Sequence, residues 1–132
     1  MKGQIKFVNR DQSIFFSTLR KRVNHYFRDN HITRYGNSEL FIKSAILIGI
    51  YLLSYVLILS LSVSAWWLLP FAVLMGLAKA GIGMGVMHDA LHGSYSKNAG
   101  VNKLMGYTIY MLGGNSSVWK IQHNILHHTY TN

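Results

Sequence analysis

The sequence predicts an all-α membrane protein in which a transmembrane helical hairpin is followed by cytoplasmic or interfacial helices that carry histidine clusters. Three observations predict this class. Residues 44–78 contain no charged side chain. Residues 1–43 hold nine Lys or Arg against three acidic residues. Five of the seven histidines fall in two short motifs after residue 87.

The charge-free run is long enough for membrane helices. A bilayer core of about 30 Å is crossed by about 20 apolar helical residues. Ser44–Val63 supplies 20 such residues, and a 132-residue chain is too small to enclose a helix that is apolar on every side. We therefore predict transmembrane helices over about 42–63 and 66–87. Trp66 and Trp67 suit the turn between them, because indole rings favour the headgroup level.

The basic residues set the expected orientation. Residues 1–40 form a basic N-terminal segment, which the positive-inside rule predicts to be cytoplasmic. The hairpin then returns the chain to the cytoplasmic side, so the histidine clusters are expected there too, at a bacterial cytoplasmic membrane or the endoplasmic reticulum. The glycosylation sequon at Asn115 is accordingly expected to stay unmodified. Nucleic-acid binding is not indicated, since a basic segment beside a membrane span is explained by topology and anionic headgroups.

The two histidine motifs have the spacing of metal ligands. Residues four apart share one face of a helix, so His88 and His92 point the same way, as do His123 and His127. Neutral imidazole is the commonest metal ligand, and an all-imidazole set suits Zn, Cu, Fe or Ni. The chain has no cysteine and no H-E-x-x-H zinc-protease motif. The predicted metal ligands are His88, His92, His123, His127 and His128.

Polar neighbours of these histidines are expected to orient them. Asp89 is predicted to accept a ring N–H and so to fix the tautomer of a ligand. Gln122 and Asn124 flank the second motif and are predicted to act in the same way. No catalytic residue beyond the metal ligands is assigned. His25 and His31 lie in the basic segment and are interpreted as surface residues.

Two stretches of this sequence resemble a known family. H-D-A-L-H-G-S-Y-S after an apolar helix, followed by W-K-I-Q-H-N-I-L-H-H-T-Y-T-N, is similar to histidine boxes one and two of membrane fatty acid desaturases. The resemblance is strongest to acyl-CoA or acyl-lipid desaturases of the front-end type and covers about residues 40–132. It implies that residues 41–132 are a partial desaturase domain.

The resemblance also implies a chemistry. The family binds a non-haem di-iron centre on the cytoplasmic face, activates O₂ and introduces a cis double bond into a fatty acyl chain. The substrate would be a fatty acyl-CoA or an acyl-lipid in the membrane. Electrons would come from an external b-type cytochrome or a ferredoxin. The family has a third histidine box and a second hairpin downstream, so this chain is expected to be an N-terminal fragment that is inactive alone.

Three other interpretations remain open at this point. Membrane fatty acyl hydroxylases and alkane monooxygenases use similar histidine boxes to insert oxygen. A non-enzymatic haem-binding hairpin would use one histidine from each of two helices, which leaves three histidines unexplained. A structural or regulatory hairpin would keep the boxes as relics, and mutation of His88 or His127 would then leave activity intact.

Overall fold

The computed structural model describes residues 12–130, and every regular element in that range is helical. The α-helices are α1 (Gln12–Asp29), α2 (Ser38–Ser60), α3 (Ala65–Gly81), α4 (His88–Leu91), α5 (Ala99–Gly106), α6 (Thr108–Met111), α7 (Ser116–Trp119) and α8 (His128–Tyr130). Two π-helical segments, Ile82–Met87 and Lys120–His127, join α3 to α4 and α7 to α8. The predicted all-α class is confirmed, and residues 1–11 of the predicted basic segment lie outside the described residues.

The chain divides into two compact units, Met1–Arg34 and Tyr35–Asn132. The first unit contains α1, in which His25 Nε2 lies 2.9 Å from Asp29 Oδ2, one turn further along. His25 and His31 are exposed, in line with their interpretation as surface residues. All five histidines of the two predicted metal motifs belong to the second unit.

Two helices of the second unit are long and apolar enough to cross a membrane. The first is α2, and the second is the continuous helix Ala65–Leu91 formed by α3, a π-helical segment and α4. Only 11% of the apolar window in the first helix and 17% in the second is buried within the chain. Such exposed apolar surface is stable in lipid rather than in water, because its transfer out of water is favourable.

The helix ends differ from the predicted spans of 42–63 and 66–87. Helix α2 begins at Ser38 because the Asn37 side chain accepts a hydrogen bond from the Leu40 N–H at 3.1 Å, which caps the first turn. The second helix continues to Leu91 and ends before Gly93, whose φ of 75° lies in the left-handed region that terminates helices. The charge-free run could not reveal either end, since both are set by capping.

The two apolar helices pack against each other through a close contact and a small core. A Cβ added at Gly81 would lie 2.9 Å from a Leu47 methyl group, so a larger residue at Gly81 would force the Leu47 side chain to shift. The largest fully buried hydrophobic side chains among the described residues are Ile82, Val86 and Tyr95. Partly buried Leu40, Leu47, Ile48, Tyr51, Val101, Met105 and Leu112 pack around them.

Two sets of hydrogen bonds connect the later short helices to this core. The Tyr51 hydroxyl donates to the Met111 carbonyl at 2.8 Å, which links α2 to α6 across 60 residues of sequence. The Asn102 side chain on α5 bonds to both the N–H and the carbonyl of Ser96, each at 2.8 Å. The first bond ties the segment between the two histidine motifs to α2, and the Asn102 bonds hold the loop at Ser96 against α5.

Candidate metal centre

The first histidine cluster (His88 and His92) lies at the end of the second apolar helix. The two imidazole rings are 4.5 Å apart between centroids, as expected for residues one helical turn apart. The backbone N–H groups of Ser94 and Tyr95 both donate to the Asp89 carbonyl, and the His92 N–H donates to the His88 carbonyl. This hydrogen-bonded helix end fixes the direction in which both rings leave the backbone.

The second histidine cluster (His123, His127 and His128) lies on the π-helical segment Lys120–His127 and the residue after it. A π-helix closes its hydrogen bonds at the fifth residue rather than the fourth. The His128 N–H accordingly donates to the His123 carbonyl. Because the turn is wider, both His127 and His128 return to the side of His123, and each ring centroid lies 5.0 Å from that of His123.

The two clusters converge although 35 residues separate their first members. His88 Nε2 lies 3.2 Å from His123 Nε2. The ligand nitrogens of His88, His92 and His123 all lie within 4.8 Å of one another. The His128 ring stands 5.2 Å from that of His92. The fold therefore brings residues of both predicted motifs into one group of imidazoles.

This group has the chemistry and the spacing of a metal site. Two imidazole nitrogens bound to one metal at about 2.1 Å lie roughly 3.0–3.4 Å apart for octahedral or tetrahedral angles. The 3.2 Å between the His88 and His123 Nε2 atoms falls in that interval. It also matches an N–H···N hydrogen bond between two neutral rings. The spacing of these two nitrogens is therefore compatible with one metal ion bound by both.

Electrostatics favour the neutral, metal-binding form of two ligands. Partial burial, followed by the nearby His88 and His128 rings, lowers the pKa of His92 below its ordinary value. The same causes, in the same order, lower the pKa of His123. Because a metal binds the unprotonated imidazole, a lowered pKa reduces competition by protons at neutral pH.

The predicted orienting residues occupy different surroundings. Asp89 Oδ1 lies 3.2 Å from His88 Nδ1, a distance at which the ring N–H donates to the carboxylate and Nε2 is left as the acceptor. Asn124 Oδ1 is buried and has no hydrogen-bond partner among the described residues. Gln122 is exposed, and its side chain makes no hydrogen bond in the part of the chain that the structure describes.

Sequence reasoning missed Trp119, which contacts three of the histidines. Its indole ring stacks on the His123 ring at a centroid distance of 4.3 Å and an interplanar angle of 20°. Its centroid also lies 5.8 Å from that of His88 and 5.4 Å from that of His92. The available signal was its position four residues before His123, which places both rings on one helix face.

A cavity of about 590 Å³ opens beside His92. Its wall includes apolar Ala90 and Leu91, the rings of Tyr107 and Tyr110, and the side chains of Lys103 and Lys120. A pocket with apolar walls and a few polar groups is the usual form of a small-molecule site. The structure thus provides space next to the imidazole group for part of a bound molecule.

The fold and the site together define a class, a helical protein with two helices long and apolar enough to cross a membrane and a cluster of histidines spaced as metal ligands. The family model for fatty acid desaturases matches residues 64–132. The chain is 33% identical over 131 residues to an acyl-lipid (8-3)-desaturase of Physcomitrium patens, covering 99% of the chain and 27% of that relative. It is 34% identical over 118 residues to a sn-1 linoleoyl-lipid 6-desaturase of Arthrospira platensis, covering 89% of the chain and 32% of that relative.

A third relative, an acyl-lipid (8-3)-desaturase of Mortierella alpina, is 36% identical over 126 residues, with 92% of the chain and 28% of the relative covered. No solved structure matches the chain significantly. The chain belongs to the fatty acid desaturase family, which confirms the resemblance predicted from its histidine motifs. It spans about a third or less of the length of these curated relatives.

Proposed function

We propose that the whole protein is a fatty acid desaturase that uses O₂ to introduce a cis double bond into the acyl chain of a membrane lipid. The convergence of the two histidine clusters, with 3.2 Å between His88 Nε2 and His123 Nε2, is the observation that carries the proposal. An acyl-lipid substrate is favoured over an acyl-CoA because the relatives are acyl-lipid and linoleoyl-lipid desaturases.

The metal proposed for this site is a non-haem di-iron centre. When bound, it supplies the redox chemistry that cleaves an aliphatic C–H bond, which side-chain acids and bases cannot do. The chain contributes the ligands His88, His92, His123, His127 and His128. Asp89 holds the His88 ring with Nε2 facing His123. We propose the same orienting role for Gln122 and Asn124, whose side chains make no hydrogen bond to a histidine among the described residues. An external b-type cytochrome or ferredoxin supplies the electrons.

The apolar helices and the cavity bring the substrate to these ligands. In this proposal the acyl chain lies in the membrane with the lipid head at its surface. The cavity beside His92 supports the proposal because it provides space next to the proposed ligands. Ala90 and Leu91 give this cavity an apolar wall that suits contact with an acyl chain. The N-terminus and both histidine clusters face the cytoplasm, so Asn115 stays unglycosylated when the protein is made in a eukaryotic host.

Expression of the whole protein in a host with a defined fatty acid content tests the proposal. The expected result is a new unsaturated fatty acid, together with iron that co-purifies without a Soret band. His88→Ala and His127→Ala should each abolish the product. The matched control His25→Ala changes an exposed histidine of the other compact unit and should retain it.

Other products would assign other functions. A hydroxylated fatty acid in place of an alkene would identify a hydroxylase, and a Soret band would identify a haem protein. Unchanged activity in His88→Ala and His127→Ala would show that the clusters are relics. Any of these results would overturn the desaturase proposal.

A further inference from the structure

We propose that Trp119 is a positioning residue of the metal site, whose indole face holds the His123 ring in the orientation that directs Nε2 toward His88 and His92. The inference rests on the proposed metal site. It concerns a side chain that neither the histidine motifs nor the polar neighbours of the ligands include.

The stacking contact is the first observation. The indole of Trp119 and the imidazole of His123 are nearly parallel, at 20°, with centroids 4.3 Å apart. On the next turn, the His127 ring is also at 20° to the His123 ring, with centroids 5.0 Å apart. The three rings follow one another along the helix at intervals of four residues. The Trp119 and His127 rings, on the turns before and after His123, therefore restrict rotation of the His123 side chain.

The second observation is that the same indole contacts the other cluster. Trp119 meets the His88 ring at an interplanar angle of 86° and the His92 ring at 73°, so both contacts are edge-to-face. Edge-to-face and offset-stacked arrangements are the favourable geometries for aromatic rings. Trp119 thus touches all three residues whose nitrogens form the candidate ligand group, His88, His92 and His123.

The position of Trp119 in the helix explains why this contact is possible. It is the last residue of α7, and the π-helical segment begins at the next residue, Lys120. The change from α-helical to π-helical hydrogen bonding therefore occurs between the indole and His123. A π-helical segment widens the turn, and the stack of Trp119 on His123 keeps the ring from rotating within that wider turn.

Neighbours that orient a metal-bound histidine usually do so by a hydrogen bond to the second ring nitrogen. His88 has such a neighbour in Asp89 at 3.2 Å. Among the described residues, His123 instead forms its hydrogen bond through Nε2 to His88 Nε2, which is the nitrogen that faces the other ligands. Trp119 supplies to His123, through ring stacking, the orientation that Asp89 supplies to His88 through a hydrogen bond.

Cobalt(II) titration of the full chain in detergent micelles tests the inference, because the d–d absorption bands of Co(II) report the ligand set directly. Trp119→Leu should weaken Co(II) binding about tenfold or more, the effect typical of losing a residue that orients a ligand, and should change the d–d bands. Trp119→Phe keeps a flat ring and should stay within about threefold of the parent. The control Trp66→Leu removes an 82% exposed tryptophan and should match the parent.

A second measurement leaves Trp119 in place. The chain has three tryptophans, so the double variant Trp66→Phe/Trp67→Phe retains Trp119 alone. Its fluorescence should be quenched by Co(II) with the same midpoint as the absorption titration. The quenching measurement still tests the inference if circular dichroism shows that Trp119→Leu has lost its helices.

The outcomes distinguish failure of the role of Trp119 from failure of the proposed metal site. If the parent chain binds no Co(II), the metal site itself fails. If the parent binds Co(II) and Trp119→Leu keeps both affinity and spectrum, only the role of Trp119 is refuted. Equal losses in Trp119→Phe and Trp119→Leu, or the absence of quenching in the single-tryptophan variant, would also overturn it.

Discussion

Asn102→Ala should loosen the loop that follows His92, because one side chain holds that loop in place. The Asn102 amide accepts a hydrogen bond from the Ser96 N–H at 2.8 Å and donates to the Ser96 carbonyl at 2.8 Å. It also donates to the Gly93 carbonyl at 3.3 Å. Alanine removes all three hydrogen bonds and leaves the partly buried Ser96 backbone without them.

The expected size of the effect follows from the number and burial of these bonds. A hydrogen bond contributes about 0.5–1.5 kcal/mol net to stability, and the exposed bond to Gly93 should contribute least. The three together give about 2–3 kcal/mol for holding the loop closed, which is a factor of roughly 30–150 in the opening equilibrium. Asn102→Asp keeps the acceptor but loses both donors, so its effect should be intermediate.

Hydrogen–deuterium exchange at the Ser96 amide measures this opening directly, since local unfolding exposes the N–H to solvent. The amide of Ser96 should exchange faster by the factor given above in Asn102→Ala. Asn98→Ala is the control, because Asn98 accepts from the Gly100 N–H at 2.8 Å and its loss should accelerate Gly100 instead. Unchanged exchange at Ser96 in Asn102→Ala would refute the conclusion that the Asn102 side chain holds this loop closed.

Five further substitutions have expected outcomes. Tyr95→Phe should raise the free energy of unfolding by about 1 kcal/mol, and with it the midpoint of thermal unfolding, because the Tyr95 hydroxyl is buried without a partner among the described residues. Tyr51→Phe should lower stability by about 1 kcal/mol in the same assay, since that hydroxyl donates to a carbonyl of α6 at 2.8 Å; equal midpoints for the two variants would contradict this account. Gly93→Ala should destabilise by about 1 kcal/mol because its φ is 75°, and an unchanged midpoint would show that the helix end relaxes. His123→Ala should weaken Co(II) binding by more than about 100-fold, because His123 belongs to the group of three ligand nitrogens. His127→Ala should weaken it less, and the reverse order would show that the metal binds elsewhere.

Local patterns were sufficient to predict the helices and the ligand candidates. The absence of charge between residues 44 and 78 predicted two apolar helices, and both are present. The first helix begins earlier than predicted because Asn37 caps it ahead of the charged Glu39 and Lys43. A hydropathy pattern responds to charge, whereas a cap depends on one backbone hydrogen bond, so the pattern could not locate the end.

The geometry of the second histidine cluster was less predictable. Regular α-helical spacing pairs His123 with His127 but turns His128 toward another face. The π-helical hydrogen bond from the His128 N–H to the His123 carbonyl brings His128 back beside His123. Nothing in the order of residues 120–127 distinguishes a π-helix from an α-helix, since the difference lies in which carbonyl each N–H reaches.

By itself the sequence determined the class of protein, the two apolar helices and the identity of the five histidines, because each depends on residues close together in the chain. Only the tertiary structure decided that His88 meets His123 at 3.2 Å and that Trp119 stacks on His123. That meeting requires the segment between the clusters to fold back onto α2 through the Tyr51–Met111 hydrogen bond and the core around Tyr95. Contacts between distant segments are set by packing, which no local pattern encodes.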